Sequence, residues 1–150
     1  MKKNVKLWLE EAKWDYNNAK ILLENDRYNT VVFTSQQAAE KAIKALLFYC
    51  NLNGWGHSIF SLLIKYKEKI NREIEDIKSD ALFLDKHYIT TRYPDSLPGI
   101  SPHIAYTKEE AKNSIEKAKK IIKFVENELT FFEEKKELKG KNELEDEKKQ

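Results

Sequence analysis

Helix-breaking residues are scarce in this 150-residue chain, and the few that occur are gathered in three places. All three prolines and one of the four glycines fall between residues 94 and 102. Two further glycines flank Trp55, and the last is Gly140. A β-sandwich or barrel needs a turn every ~8–12 residues. The distribution therefore predicts a helical chain in which two long uninterrupted regions flank one long loop.

Apolar residues recur at three- and four-residue steps along most of the chain, which is the spacing of amphipathic helices. This periodicity predicts long helices over residues 3–24, 30–51, 69–90 and 107–132. A short helix opens at His57 or Ser58, and Thr107 followed by Glu110 matches a capping box at the start of the last helix. We therefore expect an all-α fold, an up-and-down four-helix bundle with an additional short helix.

The composition changes after Phe132. The last 18 residues, EEKKELKGKNELEDEKKQ, contain 6 lysines, 7 acids and two leucines. Such a segment has little to bury. We therefore expect one bundle domain over residues 1–132, followed over residues 133–150 by a charged C-terminal extension that is either helical or disordered.

Charge and cysteine content exclude several classes of protein. The 27 basic and 25 acidic residues give a net charge of +2, and a strongly electrostatic nucleic-acid binder is normally more basic unless its charges are locally sorted. Cys50 is the single cysteine, which excludes an intramolecular disulfide and a Cys-based zinc cage. The histidines lack metal-ligand spacing, and P-loop, GxGxxG and GxSxG motifs are missing. The sequence thus predicts neither a metal nor a cofactor.

The N-terminus does not resemble a targeting signal. The segment MKKNVKLWLEEAK begins basic but reaches Glu10 and Glu11 before an apolar core develops. No run of the chain approaches the ~18 apolar residues of a membrane span. We expect a cytoplasmic protein that does not contact the membrane.

The first helix carries a second apolar stripe. Leu7, Trp14 and Ile21 recur at seven-residue spacing, outside the face to which Trp8 and Ala12 belong. A helix with two apolar stripes covers two neighbours, and one of these can be another subunit. The sequence therefore predicts a homodimer.

The segment QQAAEKAIKALL, residues 36–47, is the first with candidate functional side chains. Glu40, Lys41 and Lys44 form a polar strip on the second helix. The alternative is that all three are simply solvated while the alanines and leucines pack in a core. Glu40 and Lys44 then form a helical i,i+4 pair that stabilises the helix by only ~0.2–0.5 kcal/mol.

The second segment with candidate functional side chains is LDKHYITTRYPD, residues 84–95. It borders the loop predicted over residues 91–106. Arginine suits bidentate phosphate recognition and tyrosine rings stack on bases, so Arg92, Tyr88 and Tyr93 are candidate ligand contacts. The alternative is structural, with Arg92 capping helix carbonyls or pairing with Asp95. His57, by the same reasoning, can simply cap the short helix.

Together these segments resemble the HEPN domain family (higher eukaryotes and prokaryotes nucleotide-binding) over about residues 4–130. The stretch AKWDYNNAKILLENDRYNTVVFTSQQAAEKAIKALL resembles the first two helices of the family. NGWGHSIFSLL is similar to the connection that places a histidine before the third helix. LDKHYITTRYPD resembles the segment that carries tyrosine and arginine, and EEAKNSIEKAKKIIKFVENEL resembles the last helix.

The resemblance implies a helical bundle, usually homodimeric, that is paired with a minimal nucleotidyltransferase as in toxin–antitoxin modules. We expect a non-catalytic or weakly catalytic member that binds nucleotide or RNA near Arg92. The candidate ligand-binding residues are Arg92, Tyr93, Tyr88, His57, Lys41 and Lys44.

Two alternatives remain open. Some branches of the family are metal-independent ribonucleases with an arginine followed, after four to six residues, by a histidine. Counted from Arg92, those positions hold Leu97, Pro98 and Gly99, so a ribonuclease would pair Arg92 with His103 or His87 as catalytic residues. The other alternative is a purely structural helical adaptor.

Overall fold

Six helices and no strand make up the computed structural model, which describes the whole chain from Met1 to Gln150. In chain order the helices are α1 (Lys3–Glu24), α2 (Tyr28–Tyr49), α3 (Ile59–Ile70), α4 (Glu75–Asp85), α5 (Pro102–Ala105) and α6 (Lys108–Lys149). The all-α helical bundle predicted from the periodicity is confirmed. None of these helices combines the length and the apolarity needed to cross a membrane.

The second helix is the centre of the bundle, because it contacts each of the other five. Thirteen of its 22 residues are buried. Its small side chains let neighbouring helices approach closely, and these are Ala38, Ala39, Ala42 and Ala45. α1 and α6 pack along one side of α2, while α3 and α4 cover another. A side chain on α2 can therefore reach several elements at once.

The α3–α4 region differs from the prediction of a short helix followed by one long helix over residues 69–90. α3 ends at Ile70, because Asn71 adopts a left-handed conformation with φ of 60°. Asparagine tolerates this conformation better than most residues and so commonly ends helices. The two helices are of similar length, 12 and 11 residues.

An ion pair between Arg72 and a buried carboxylate fixes the connection between α3 and α4. The Arg72 guanidinium donates to both carboxylate oxygens of Glu128 on α6, at 3.0 and 2.6 Å. The Tyr66 hydroxyl donates to the same carboxylate at 2.8 Å. Burial and this carboxylate together raise the pKa of Tyr66. The Arg72 guanidinium also lies 3.9 Å from the centre of the Phe131 ring.

Asp85, the last residue of α4, caps the start of α3. The Asp85 carboxylate accepts hydrogen bonds from the Ser58 hydroxyl and from the backbone N–H groups of Ile59 and Phe60, each at 2.9 Å. Ser58, not His57, is the N-cap of α3. The predicted continuation of α4 to residue 90 is wrong, because residues 86–91 form successive turns instead.

The remaining boundaries are set locally. α2 begins at Tyr28, two residues before the predicted start at residue 30. The predicted loop over residues 91–106 contains the single turn of α5. The capping box at Thr107 and Glu110 is formed, and α6 runs on to Lys149. The charged extension is thus helical, and every residue from 134 to 150 is exposed.

Candidate functional site

The Arg92 guanidinium lies in an aromatic setting. It is 4.4 Å from the ring centre of Phe33, 4.5 Å from that of Tyr88 and 5.1 Å from that of Tyr93. Its Nε donates to the Tyr88 carbonyl at 3.1 Å, which holds the side chain over the rings. Arg92 is exposed and pairs with no carboxylate, Asp95 included. Its outer N–H groups are therefore available to a ligand.

Two hydrogen bonds position the turns that carry Arg92. The Asn29 amide on α2 donates to the Thr91 carbonyl at 2.9 Å. The Thr91 hydroxyl donates to the His87 carbonyl at 2.8 Å. Thr91 is buried and hydrogen-bonded to the central helix. The backbone at the neighbouring Arg92 is therefore held in place at the start of the loop.

His57 joins this cluster through Tyr88. The two rings stack with centroids 5.2 Å apart and planes at 15°. The His57 carbonyl accepts a hydrogen bond from the Gln36 amide at 2.9 Å, and its Nδ1 lies 3.2 Å from a Glu40 carboxylate oxygen. A carboxylate partner places the proton on Nδ1 and leaves Nε2 for another molecule. The side chain is 63% exposed, so that molecule can reach it.

Glu40 is buried, which contradicts the alternative in which Glu40, Lys41 and Lys44 are simply solvated. The residue is 3% exposed, and its second carboxylate oxygen lies 3.2 Å from the Lys44 ammonium. Lys44 is also buried, with its ammonium 5.7 Å from the centre of the Trp8 ring. Lys41 is paired with Asp15 at 2.6 Å. Both lysines are thus engaged in ion pairs within the chain.

A cavity of about 220 Å³ lies beside the stacked rings. Its lining residues are His57, Ser58, Asp85, Lys86, Tyr88 and Ile89. Asp85 is occupied by the start of α3, whereas Lys86 forms no ion pair. The groups left for a ligand are an imidazole, an ammonium and an aromatic ring. Such a set suits an anionic molecule with a planar part.

The other two histidines lie apart from Arg92. His87 Nδ1 is 2.8 Å from the Tyr106 hydroxyl, which is 2.6 Å from the Thr90 hydroxyl. Burial lowers the pKa of His87, so it favours the neutral form. His103 is exposed on α5. Neither histidine hydrogen-bonds to Arg92 within the chain. No three His, Cys, Asp or Glu side chains are arranged to hold a metal ion.

Sequence comparison identifies the family. The family model of the HEPN domain matches residues 5–128, which includes nearly all of α1, the whole of α2–α5 and the first half of α6. The chain belongs to the HEPN domain family. The family resemblance seen in the sequence is thereby confirmed, and Arg92, Tyr88 and His57 all lie within the matched HEPN residues.

Known proteins similar to this HEPN chain come from several thermophiles and archaea. A protein of Methanocaldococcus jannaschii named putative toxin MJ1304 is 32% identical over 152 residues, covering 91% of this chain and 93% of that protein. The crystal structure of TT1696 from Thermus thermophilus is 38% identical, with a TM-score of 0.80 over 84% of this chain and 98% of that one. The crystal structure of ST0689, an archaeal HEPN homologue, is 35% identical, with a TM-score of 0.71 over 85% of this chain and 98% of that one.

The HEPN fold brings together only some of the residues proposed from the sequence. Arg92, Tyr88, Tyr93 and His57 share one cluster. Sequence reasoning missed three supporting residues of this cluster, which are Phe33, Gln36 and Lys86, and it named Glu40 without its contact to His57. One signal was available: two polar residues, Gln36 and Glu40, stand one turn apart on a helix whose other residues are mostly apolar. Such a pair on a buried face needs a partner from another element.

Proposed function

We propose that this protein is the HEPN component of a toxin–antitoxin-like module in the cytoplasm. It forms a homodimer, binds a minimal nucleotidyltransferase partner, and takes a nucleotide or RNA at the cluster around Arg92, with little or no catalysis of its own. The similarity to a protein named as a toxin supports the module. The family resemblance supports the nucleotidyltransferase partner.

The observation that carries the proposed ligand is the continuous stack from Arg92 through Tyr88 to His57. The guanidinium lies over the tyrosine ring at 4.5 Å, and the imidazole stacks on that ring at 5.2 Å. Phosphate oxygens accept the fork of guanidinium N–H donors, and bases or ribose rings pack on exposed aromatic surfaces. The stack therefore offers both kinds of contact that a nucleotide needs.

Arg92→Ala tests this proposal. We expect affinity for a labelled oligoribonucleotide, for ATP or for the purified nucleotidyltransferase to fall roughly tenfold to hundredfold, as is typical when a charged hydrogen bond is lost. The melting temperature should hardly change, since Arg92 is exposed. Arg92→Lys is the matched control, which keeps the charge but loses the bidentate fork. A destabilised Arg92→Ala protein with unchanged affinity would assign Arg92 to the scaffold and favour the adaptor alternative.

The Glu40–His57 pair favours a second candidate function, metal-independent RNA cleavage. His57 Nε2 would take the proton from a ribose 2′-hydroxyl, and the resulting oxygen would attack the adjacent phosphorus. The bond from phosphorus to the 5′-oxygen would break, and the imidazolium would return its proton to that oxygen. Arg92 would neutralise the phosphate oxygens. The products would be a 2′,3′-cyclic phosphate and a 5′-hydroxyl.

Incubation of the protein with RNA in the presence of EDTA tests this second candidate. Under this second candidate the wild-type protein cleaves RNA in EDTA, and His57→Gln abolishes the cleavage. His87→Gln and His103→Gln separate this assignment from the alternatives drawn from the sequence. Cleavage that survives His57→Gln and disappears with either of the other two would contradict a role for His57.

A further inference from the structure

A second and larger cavity lies at the opposite end of α2 from Arg92. It has a volume of about 520 Å³ and forms where α6 extends past the rest of the bundle. Its charged residues are Lys2, Lys135, Lys136 and Lys139, and its floor includes Tyr49 and Phe132. We refer to it as the lysine cavity. Tyr49 in this cavity and Phe33 next to Arg92 both lie on α2, 16 residues apart. At ~1.5 Å per residue, this separates the two sites by about 24 Å along the helix.

The floor of the lysine cavity is aromatic. The Tyr49 and Phe132 rings stack with centroids 5.7 Å apart and planes at 25°. Both residues are only partly buried, so the stacked pair keeps open ring surface. Burial and the nearby Glu133 carboxylate raise the pKa of Tyr49, so its hydroxyl stays neutral and adds no negative charge to the cavity.

The charges of the α6 extension are sorted by face. Lys135, Lys136 and Lys139 line the lysine cavity, whereas Glu134 and Glu137 line a separate groove on the other side of the helix. None of the three lysines forms an ion pair. Lys135 and Lys139 are one turn apart, and like charges at this spacing destabilise a helix slightly. Because the three ammonium groups are exposed and form no ion pair within the chain, they are free to contact an external anion.

We propose that the lysine cavity is a second binding site, distinct from the cluster at Arg92, and that it takes single-stranded RNA. The ammonium groups would contact successive phosphates, and an unstacked base would pack on the Tyr49–Phe132 pair. An acidic protein segment could satisfy the lysines but would make no use of the aromatic floor. The inference is independent of Arg92, because no residue is common to the two sites.

A charge-reversal variant tests the lysine cavity. Lys135→Glu, Lys136→Glu and Lys139→Glu are combined in one chain, and Lys141→Glu, Lys148→Glu and Lys149→Glu form the matched control outside the cavity. All six positions are exposed, so both variants should fold. Fluorescence anisotropy with a labelled single-stranded oligoribonucleotide would be measured across a range of salt concentrations, with Arg92→Ala measured in parallel.

We expect the cavity variant to lose at least tenfold in affinity relative to the control. The slope of log affinity against log salt should become shallower by about 2, because three phosphate contacts at ~0.7 each are lost. Polyglutamate at equal charge should compete poorly. Equal affinities for the cavity variant and its control, or full competition by polyglutamate, would overturn the inference. If Arg92→Ala does not weaken binding, RNA binding at the Arg92 cluster is contradicted, whereas the proposal for the lysine cavity is unaffected.

Discussion

The carboxylate of Glu40 holds the imidazole of His57, with 3.2 Å between the carboxylate oxygen and Nδ1. Glu40 is buried at the centre of the bundle, while His57 is largely exposed on the connection before α3. The pair therefore links the most enclosed helix to a group that a ligand can touch. It also explains why a glutamate lies inside α2, since an unpaired buried carboxylate is strongly disfavoured.

Glu40→Gln should lower the free energy of unfolding by ~1–3 kcal/mol, because Lys44 and His57 lose a charged hydrogen-bond partner. His57→Gln should cost about 0.5 kcal/mol, since that side chain is exposed. Urea denaturation of both single variants and the double variant gives their coupling, which we expect to be about 0.5 kcal/mol, the whole cost of His57→Gln. Strictly additive effects would show that the contact has no energetic weight.

Arg72→Met should destabilise the fold by about 3 kcal/mol, because it leaves the Glu128 carboxylate buried without its cation. Arg27→Met is the matched control. Arg27 is exposed and forms no ion pair, so its change should stay within about 0.5 kcal/mol. Similar unfolding midpoints for the two variants would contradict a structural role for Arg72.

The protein should lose stability as the pH falls below about 6.5, the ordinary pKa of histidine. Burial holds the pKa of His87 below that value, so the unfolded chain takes up a proton before the folded chain does. The stability that the neutral His87 contributes is complete above pH 7 and declines as the pH falls below 6.5. Thermal melts should show a weaker pH dependence in His87→Gln than in the wild-type protein. An unchanged dependence in His87→Gln would contradict this assignment.

Trp14→Glu should shift the protein from dimer to monomer. Leu7, Trp14 and Ile21 are 50%, 63% and 57% exposed, so the second apolar stripe of α1 is left uncovered by the bundle. Trp55→Glu is the control, since Trp55 is 84% exposed but lies on a loop outside the stripe. Sedimentation velocity at micromolar concentration measures the change. A wild-type protein that is already monomeric there would rule out the proposed dimer.

Removal of residues 137–150 should move the melting temperature by no more than about 2 °C. All of these residues are exposed, including Leu138 and Leu144 at 63% and 58%. A longer truncation that begins at Glu128 provides the comparison, because it also removes the partner of Arg72 and buried Leu129. A drop of many degrees on the shorter truncation would show that the extension stabilises the bundle.

Local spacing along the chain was sufficient to predict the fold class and the positions of several helix ends. The three- and four-residue periodicity predicted the all-α bundle, and Thr107 and Glu110 predicted the capping box that both residues form, at 3.1 and 3.2 Å. The exposed stripe of α1 followed from its seven-residue spacing. These features depend on residues within one or two turns of each other, and helix geometry converts such spacing directly into a face or a cap.

The position of the break between α3 and α4 was not predicted in this way. The spacing placed the start of the second helix at residue 69, whereas α3 continues to Ile70 and α4 begins at Glu75. No proline or glycine marks the break at Asn71, and the neighbouring Arg72 is fixed by Glu128, 56 residues later in the chain. Nor does the end of α4 have a local cause, since the Asp85 carboxylate is directed at the first residues of α3. Both boundaries depend on partners that only the packed bundle supplies.

The order of residues along the chain was enough to predict a helical bundle of the HEPN family with Arg92 in an aromatic segment. It also placed His57 among the candidate ligand-binding residues, but it did not predict the contacts of that histidine. As catalytic alternatives it paired Arg92 with His87 or His103, whereas His57 stacks on Tyr88 from 31 positions away, and Glu40 holds it from the central helix. The reason is that the rotation and offset of packed helices follow from the shape of the whole core. Those two quantities set which side chains of different elements meet, and spacing along the chain does not contain them.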